Sequence, residues 1–162
     1  MNKWDIRWMD QARGVASWSR DPRRKVGCII VDSDNNQLSG GYNGFPRGIA
    51  DNHRLNNRQL KLKIVVHAEA NAVAGAARNG HSLKGSTAYI THAPCCQCVS
   101  LFIQAGISRV VFEIQEGHSD DWNEDFSLAQ KLLEEAKIEI LPLCPDGPTW
   151  KNQTLRVKGN FR

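Results

Sequence analysis

Apolar residues along the chain fall into two patterns, stripes at three- and four-residue spacing and short unbroken runs, and their alternation predicts helices and strands in turn. Trp4, Trp8, Ala12 and Val15 make one face of an amphipathic first helix ending near Ser19, ahead of the turn signal Asp21-Pro22. Both tryptophans are assigned to its core side. Val26 to Val31 is a continuous apolar run, Asp32 to Asn36 a polar turn, and the stretch from Gln37 to Tyr42 a second strand, so these form a hairpin. Glycines, Pro46 and asparagines from Asn43 to Asn57 predict an irregular loop. Ile64-Val65-Val66 reads as extended, leading into a tightly packed alanine-rich helix over Val66 to Ala77 that Asn79-Gly80 stops. A strand from Thr87 to Thr91, a helix from Cys95 to Ala105 ended by Gly106, and a strand from Arg109 to Ile114 follow. Phe126 to Ala136 and Ile138 to Leu141 complete the alternation as helix and strand.

A hairpin followed by alternating helices and short apolar strands indicates an α/β domain, a mixed sheet covered by helices on both faces. The length of 162 residues suits one such domain, read as residues 1–141, with a tail or oligomer arm at 142–162 where proline, glycine, asparagine and basic residues take over. The N-terminal stretch lacks the apolar core of a signal peptide, and no apolar run approaches the roughly 20 residues of a membrane span. The expectation is a soluble, cytoplasmic protein. Five cysteines, three of them in Cys95-Cys96-Gln97-Cys98, cannot form an ordinary disulfide framework and fit a reducing compartment. The formal charge of +4 divides into a basic cluster, Arg20, Arg23, Arg24 and Lys25, and a late acidic one around Glu113, Glu116, Asp120 and Asp121. That division suits a phosphate-bearing small molecule better than a nucleic acid, which calls for a longer basic stripe.

Chemistry concentrates in two short segments. Cys95 and Cys98, at i and i+3, share one face of a helix that Pro94 is suited to start, so both sulfurs lie near its positive end, where thiolate is stabilised. Two thiolates and one imidazole, that of His67, make a three-ligand Zn²⁺ site with its fourth tetrahedral position open for water. An open position indicates catalysis; a structural zinc would require a fourth ligand, and no second C-x-x-C exists. In a regular helix His67 and Glu69 would point roughly 200° apart, so both reach one water only at a helix terminus. The extended approach through Val66 places His67 there. Glu69, spare as a ligand, is then positioned to move protons. Cys96 faces elsewhere as packing, and Cys28 serves as a small apolar residue in a buried strand.

H-x-E followed by P-C-x-x-C is the signature of zinc deaminases. With Trp18-Ser19-Arg20-Asp21-Pro22, Lys25-Val26-Gly27, Gly41 to Gly48, Val66 to Glu69, Thr91 to Cys95 and Ile103 to Ile107, the chain resembles the deoxycytidylate deaminases of the cytidine deaminase superfamily from about residue 4 to 141. The G-Y-N-G-F-P segment sets that family apart from tRNA adenosine and free-nucleoside deaminases. The resemblance implies a three-layer α/β/α sandwich around a mixed five-stranded sheet and hydrolysis of dCMP to dUMP and ammonia. It implies zinc on His67, Cys95 and Cys98, proton transfer by Glu69, a sugar contact from Asn43, and further substrate contacts at Ala68 and Pro94. It also implies a homo-oligomer, a hexamer favoured. Regulation by dCTP and dTTP, carried with Mg²⁺, would engage Arg20, Arg23, Arg24, Lys25, Gly41, Tyr42 and Gly44. Many members carry a Tyr-Arg pair for the substrate phosphate after the fourth strand; here Glu113-Ile114-Gln115-Glu116 and Asp120-Asp121-Trp122 occupy that region, and Arg47 is the alternative phosphate contact. Another cytosine nucleotide, a base in nucleic acid, or a nucleotide-binding zinc protein without turnover remain the rival readings.

Overall fold

The structure, a computed structural model, describes residues 2–114 and 120–143. Five strands, β1 (Gly27–Val31), β2 (Gln37–Tyr42), β3 (Thr87–Ile90), β4 (Arg109–Glu113) and β5 (Glu139–Leu143), form one sheet in the order β2-β1-β3-β4-β5. β1 runs antiparallel to both β2 and β3, whereas β3, β4 and β5 are mutually parallel. The central strands alternate between two cores. Cys28, Ile30, Ala88, Ile90, Val110 and Phe112 face one side, and Ile29, Val31, Tyr89 and Val111 face the other. Burial on both faces is why these strands read as unbroken apolar runs rather than as alternating ones.

Three helices cover the first face: α3 (Ala68–Asn79), α4 (Cys96–Ala105) and α5 (Asp120–Glu135). α1 (Lys3–Ala16) covers the second. The result is the expected three-layer mixed-sheet sandwich, and the expected caps hold: Gly80 and Gly106 close α3 and α4 in the left-handed conformation, at φ 73° and 79°. Alanines 68, 72 and 76 turn a flat surface to the sheet and let α3 settle almost onto the β2 backbone. At Gly41 the approach is close enough that a Cβ would lie 2.5 Å from the Ala68 carbonyl oxygen. Ser39 Oγ donates to the Ala72 carbonyl at 2.7 Å and ties the same two elements.

Several boundaries differ from the sequence reading. α1 stops at Ala16 rather than near Ser19, because Trp18 and Ser19 donate to the carbonyls of Val15 and Ala16, three residues back, which winds the end into tight turns. Its buried stripe is Asp5, Met9, Ala12 and Ala16, leaving Trp4 and Trp8 only partly covered. Asp5 takes a central place because its carboxylate accepts from Arg109 at 2.7 Å and from the Tyr89 hydroxyl at 3.0 Å. Ile64, expected to be extended, is the last residue of a short helix, α2 (Arg58–Ile64), which Asn57 caps through the Leu60 amide at 3.2 Å. Extension begins one residue later, at Val65 (φ −62°, ψ 133°). α5 begins at Asp120, six residues before Phe126. Pro142 and Leu143, placed at the start of the tail, pair with β4 as the end of β5, an edge strand where proline costs no ladder bond to a further neighbour. Gln115 and Glu116, and the rest of the expected tail, lie outside the described residues.

Candidate functional site

The N-termini of α3 and α4 meet on one side of the sheet. An antiparallel bridge between Gly44 and Val66 fixes the approach to α3, with mutual amide-carbonyl bonds of 3.1 and 2.8 Å. His67 is the N-cap of α3, still extended at φ −68° and ψ 155°, and Glu69 follows in the first helical turn. Cys95 is likewise the N-cap of α4, at φ −78° and ψ 167°, with Cys98 one turn on. The interruption of helical geometry at His67 is what lets imidazole and carboxylate converge.

His67 Nδ1 lies 3.5 Å from Cys95 Sγ and 3.4 Å from Cys98 Sγ, and all three ligand atoms fall within 4.8 Å of one another. Zinc bonds of about 2.0–2.1 Å to nitrogen and about 2.3 Å to sulfur, set at a tetrahedral angle, separate the two donors by about 3.6 Å. The donor set and its spacing therefore fit zinc, with Nδ1 as the imidazole ligand.

The electrostatics of the cluster fit the same use. A hydrogen bond with Cys98, aided by His67, overcomes burial and lowers the Cys95 thiol, while the same bond raises Cys98. One proton is thus shared and one thiolate favoured. His67 is raised, chiefly by its contact with Cys95. Glu69 is only 4 % exposed, and burial pushes its carboxyl above the ordinary range against the opposing pull of its own amide and of His67. A buried carboxyl held above its ordinary value, beside the metal-ligating groups, is placed to move protons. Cys96 turns away, its thiol donating to the Asp125 carbonyl at 3.2 Å while its amide donates to the Asp125 carboxylate at 3.1 Å.

A cavity of about 160 Å³ opens onto this cluster. Glu69, His67 and Cys95 line it, together with Ala68 and Asn43. Its wall passes through Ala93 and Cys95 on either side of buried Pro94. Asn43 is held by backbone at both ends of its amide: Oδ1 accepts from the Val26 amide at 2.8 Å and Nδ2 donates to the Arg24 carbonyl at 2.9 Å. A second Nδ2 hydrogen and a second Oδ1 lone pair complete its capacity. Arg47 is exposed and is not among the described residues of the wall.

The basic cluster divides. Arg24 reaches the cavity; Arg20 pairs with Asp51 at 3.9 Å, Lys25 Nζ donates to the Ser17 carbonyl at 3.3 Å, and Arg23 is exposed. Gly41 is buried beneath α3, Tyr42 stands edge-on to Trp18 with ring centroids 6.2 Å apart, and Gly44 belongs to the bridge with Val66. Glu113, from the late acidic cluster, is buried in β4 and paired with Arg13.

Sequence reasoning missed four polar or aromatic groups of the cavity: Asp21, Lys61, His92 and Phe126. His92 sat in plain view in Thr91-His92-Ala93-Pro94-Cys95, whereas Asp21 reads as a turn residue and Lys61 hides between two exposed leucines. Phe126 carries no signal that its sequence neighbours could supply.

Residues 2–114 match the family described as the cytidine and deoxycytidylate deaminase zinc-binding region. An uncharacterised deaminase encoded in the luxG 3' region of Aliivibrio fischeri is 36 % identical over 146 residues, covering 88 % of this chain and 97 % of that one. Human deoxycytidylate deaminase is 36 % identical over 151 residues, covering 88 % and 82 %. Among solved structures, dCMP deaminase from the cyanophage S-TIM5 in complex with dCMP and dUMP superposes with a TM-score of 0.70 at 25 % identity, covering 88 % and 99 %.

Proposed function

The chain belongs to the cytidine and deoxycytidylate deaminase family, and from that premise we infer that it is a zinc-dependent hydrolase converting dCMP to dUMP and ammonia. The observation that carries the reading is the buried Glu69 carboxyl set beside the His67, Cys95 and Cys98 cluster at the floor of a cavity that Asn43 also lines. The named relatives that deaminate deoxycytidylate, and the neighbour solved with dCMP and dUMP, support the choice of substrate.

His67 Nδ1 and the sulfurs of Cys95 and Cys98 would hold the metal. Zinc, when bound, supplies a Lewis acid that makes water nucleophilic near neutral pH. Glu69 takes the proton from the attacking water as oxygen bonds to C4 of the pyrimidine, and delivers it to ring N3. It then takes the remaining proton from the new C4 hydroxyl and hands it to the exocyclic nitrogen as the C4–N bond breaks, so that ammonia departs and the carbonyl of uracil remains. Asn43 orients the sugar through the spare hydrogen-bonding capacity of its amide, and backbone at Ala68 and around Pro94 shapes the base pocket. Burial of Glu69 supports this double duty, because it raises the carboxyl above its ordinary value and makes the carboxylate a better proton acceptor.

The family resemblance extends the reading to a cytoplasmic homo-oligomer, a hexamer favoured. dCTP and dTTP, with Mg²⁺, would act as effectors at the segments around Arg20 to Lys25 and Gly41 to Gly44. A substrate panel of dCMP, dCTP, deoxycytidine and single-stranded DNA, assayed for ammonia with and without the two triphosphates, tests the whole. Turnover centred on dCMP supports it; turnover confined to another member of the panel replaces the substrate, and bound nucleotide with no ammonia removes the enzyme.

A further inference from the structure

The first turn of α4 serves two demands at once. A helix leaves its first amides without carbonyl partners in its own ladder, and a short polar side chain at the cap ordinarily answers one of them. Here the cap is Cys95, whose sulfur belongs to the metal cluster. An acceptor for the opening amide comes instead from another helix. Cys96, the first residue of α4, donates its amide to Asp125 Oδ2 at 3.1 Å, and its thiol donates to the Asp125 carbonyl oxygen at 3.2 Å. One residue of α5 thus holds Cys96 by backbone and by side chain, across 29 positions of sequence.

That hold falls where it bears on the metal ligands. Cys96 lies between the two sulfur ligands in the chain, directly after Cys95 and two residues before Cys98. The helical ladder itself begins with the Val99 amide on the Cys95 carbonyl, at 2.9 Å. Before that rung, the Cys96 amide bond to Asp125 fixes how the opening turn is rotated, and this rotation sets the direction in which Cys95 and Cys98 present their sulfurs to His67. A carboxylate is also the side chain that the positive end of a helix favours. Asp125 is not among the described residues of the cavity wall, but the next residue, Phe126, is.

We propose that Asp125 is a positioning residue of the metal centre: its carboxylate supplies from α5 the cap that Cys95 gives up to the metal, and so aims both sulfurs at the site that His67 completes. The assignment rests on the zinc reading above and specifies what α5 contributes to it. The coupling is reciprocal, so metal held by the two cysteines in turn favours the docked α5, which carries Phe126 in the cavity wall.

The test is the zinc affinity of the full chain, measured by competition with a chromophoric chelator at a temperature where circular dichroism shows each variant folded. Absorption of the Co²⁺-loaded chain and ammonia release from dCMP are recorded alongside. Asp125→Ala weakens zinc binding on the order of 10-fold, the lower end of the cost of losing an outer partner of a metal ligand, and alters the sulfur-to-cobalt absorption bands. Asp125→Asn, which keeps an acceptor oxygen but not the charge, recovers most of both. Glu124→Ala, which removes the exposed carboxylate next to it, changes neither. Affinity unchanged in Asp125→Ala, or a loss as large in Asp125→Asn or Glu124→Ala, overturns the assignment and leaves the deaminase reading standing. So does a weaker affinity with unaltered cobalt bands, because Asp125 would then hold the fold together without aiming the sulfurs. A wild type that neither binds zinc nor releases ammonia overturns both.

Discussion

Lys61 Nζ bridges both carboxylate oxygens of Asp21 at 2.8 and 2.9 Å, with the two side chains only 8 % and 5 % exposed. The pair joins α2 to the segment that follows α1, and Asp21 also accepts from the amides of Arg23 and Arg24. Removing one partner leaves the other charge unpaired where it is largely shielded from water, a loss of about 3–5 kcal/mol. Lys61→Met should therefore lower the urea midpoint sharply, while Lys61→Met combined with Asp21→Leu recovers most of the loss. Equal destabilisation by the single and double changes would show that packing of α2, not charge, is what matters.

Acid should act on the same class of contact. Burial alone would raise Asp5 and Asp21, but hydrogen bonds from Arg109, Asn2 and Tyr89 in the first case, and from Lys61 and two amides in the second, hold both below the ordinary carboxylate value. A depressed native value means stability that is complete above the unfolded value of about 3.9 and is lost as pH falls through the native one. Arg109→Gln should thus be less stable than wild type at pH 7, and the difference should shrink below about pH 4. A difference independent of pH would remove Asp5 from the account.

Glu69→Gln keeps shape and hydrogen bonding but carries no titratable proton. The expected protein is folded and zinc-replete, with kcat down by about 10²–10⁴. Full dCMP turnover in a zinc-loaded variant would exclude Glu69 as the proton carrier.

Removal of zinc by a chelator should abolish activity and lower the thermal midpoint, since a ligand held only by the native state stabilises it by mass action. Cys98→Ser should show both effects without chelator. A midpoint indifferent to zinc in the wild type would mean that the metal is not bound by the folded cluster.

Gly41→Ala is expected to act at a distance. The added Cβ would lie 2.5 Å from the Ala68 oxygen and 2.6 Å from the Ala72 nitrogen, so α3 must shift at the turn that carries Glu69. Overpacking of this kind costs about 1–3 kcal/mol, and kcat should fall with it while the zinc content of purified protein measures how far His67 has moved.

What could be read in advance followed the period of the apolar residues and the chemistry of a few motifs. β1, β3 and β4 were legible because both faces are buried, and α3 and α4 because glycine ends each of them. The metal cluster was legible because its residue types have few other uses at that spacing. α2 was not, because its inward residue is Lys61 while its leucines, Leu60 and Leu62, are exposed, the reverse of the usual amphipathic pattern. The stripe of α1 departs from the spacing of its tryptophans for the same reason: Asp5, a charged residue, occupies the core position beside Trp4. Ion pairs formed across 40 residues or more leave no periodic trace, so the parts of the cavity wall built from them emerge only in three dimensions.

His67 and Cys95 stand at the N-cap positions of α3 and α4, and neither is a residue that ordinarily caps a helix. At a helix start, serine, threonine, aspartate or asparagine would ordinarily occupy such a position and contribute about 1 kcal/mol. The two positions thus record a trade between durability and chemistry. Replacing either with a conventional capping residue should yield a helix start that is better satisfied in the metal-free chain and an enzyme that no longer works. Selection for heat resistance of the metal-free chain, without an activity screen, would be drawn to the same two residues on which turnover depends.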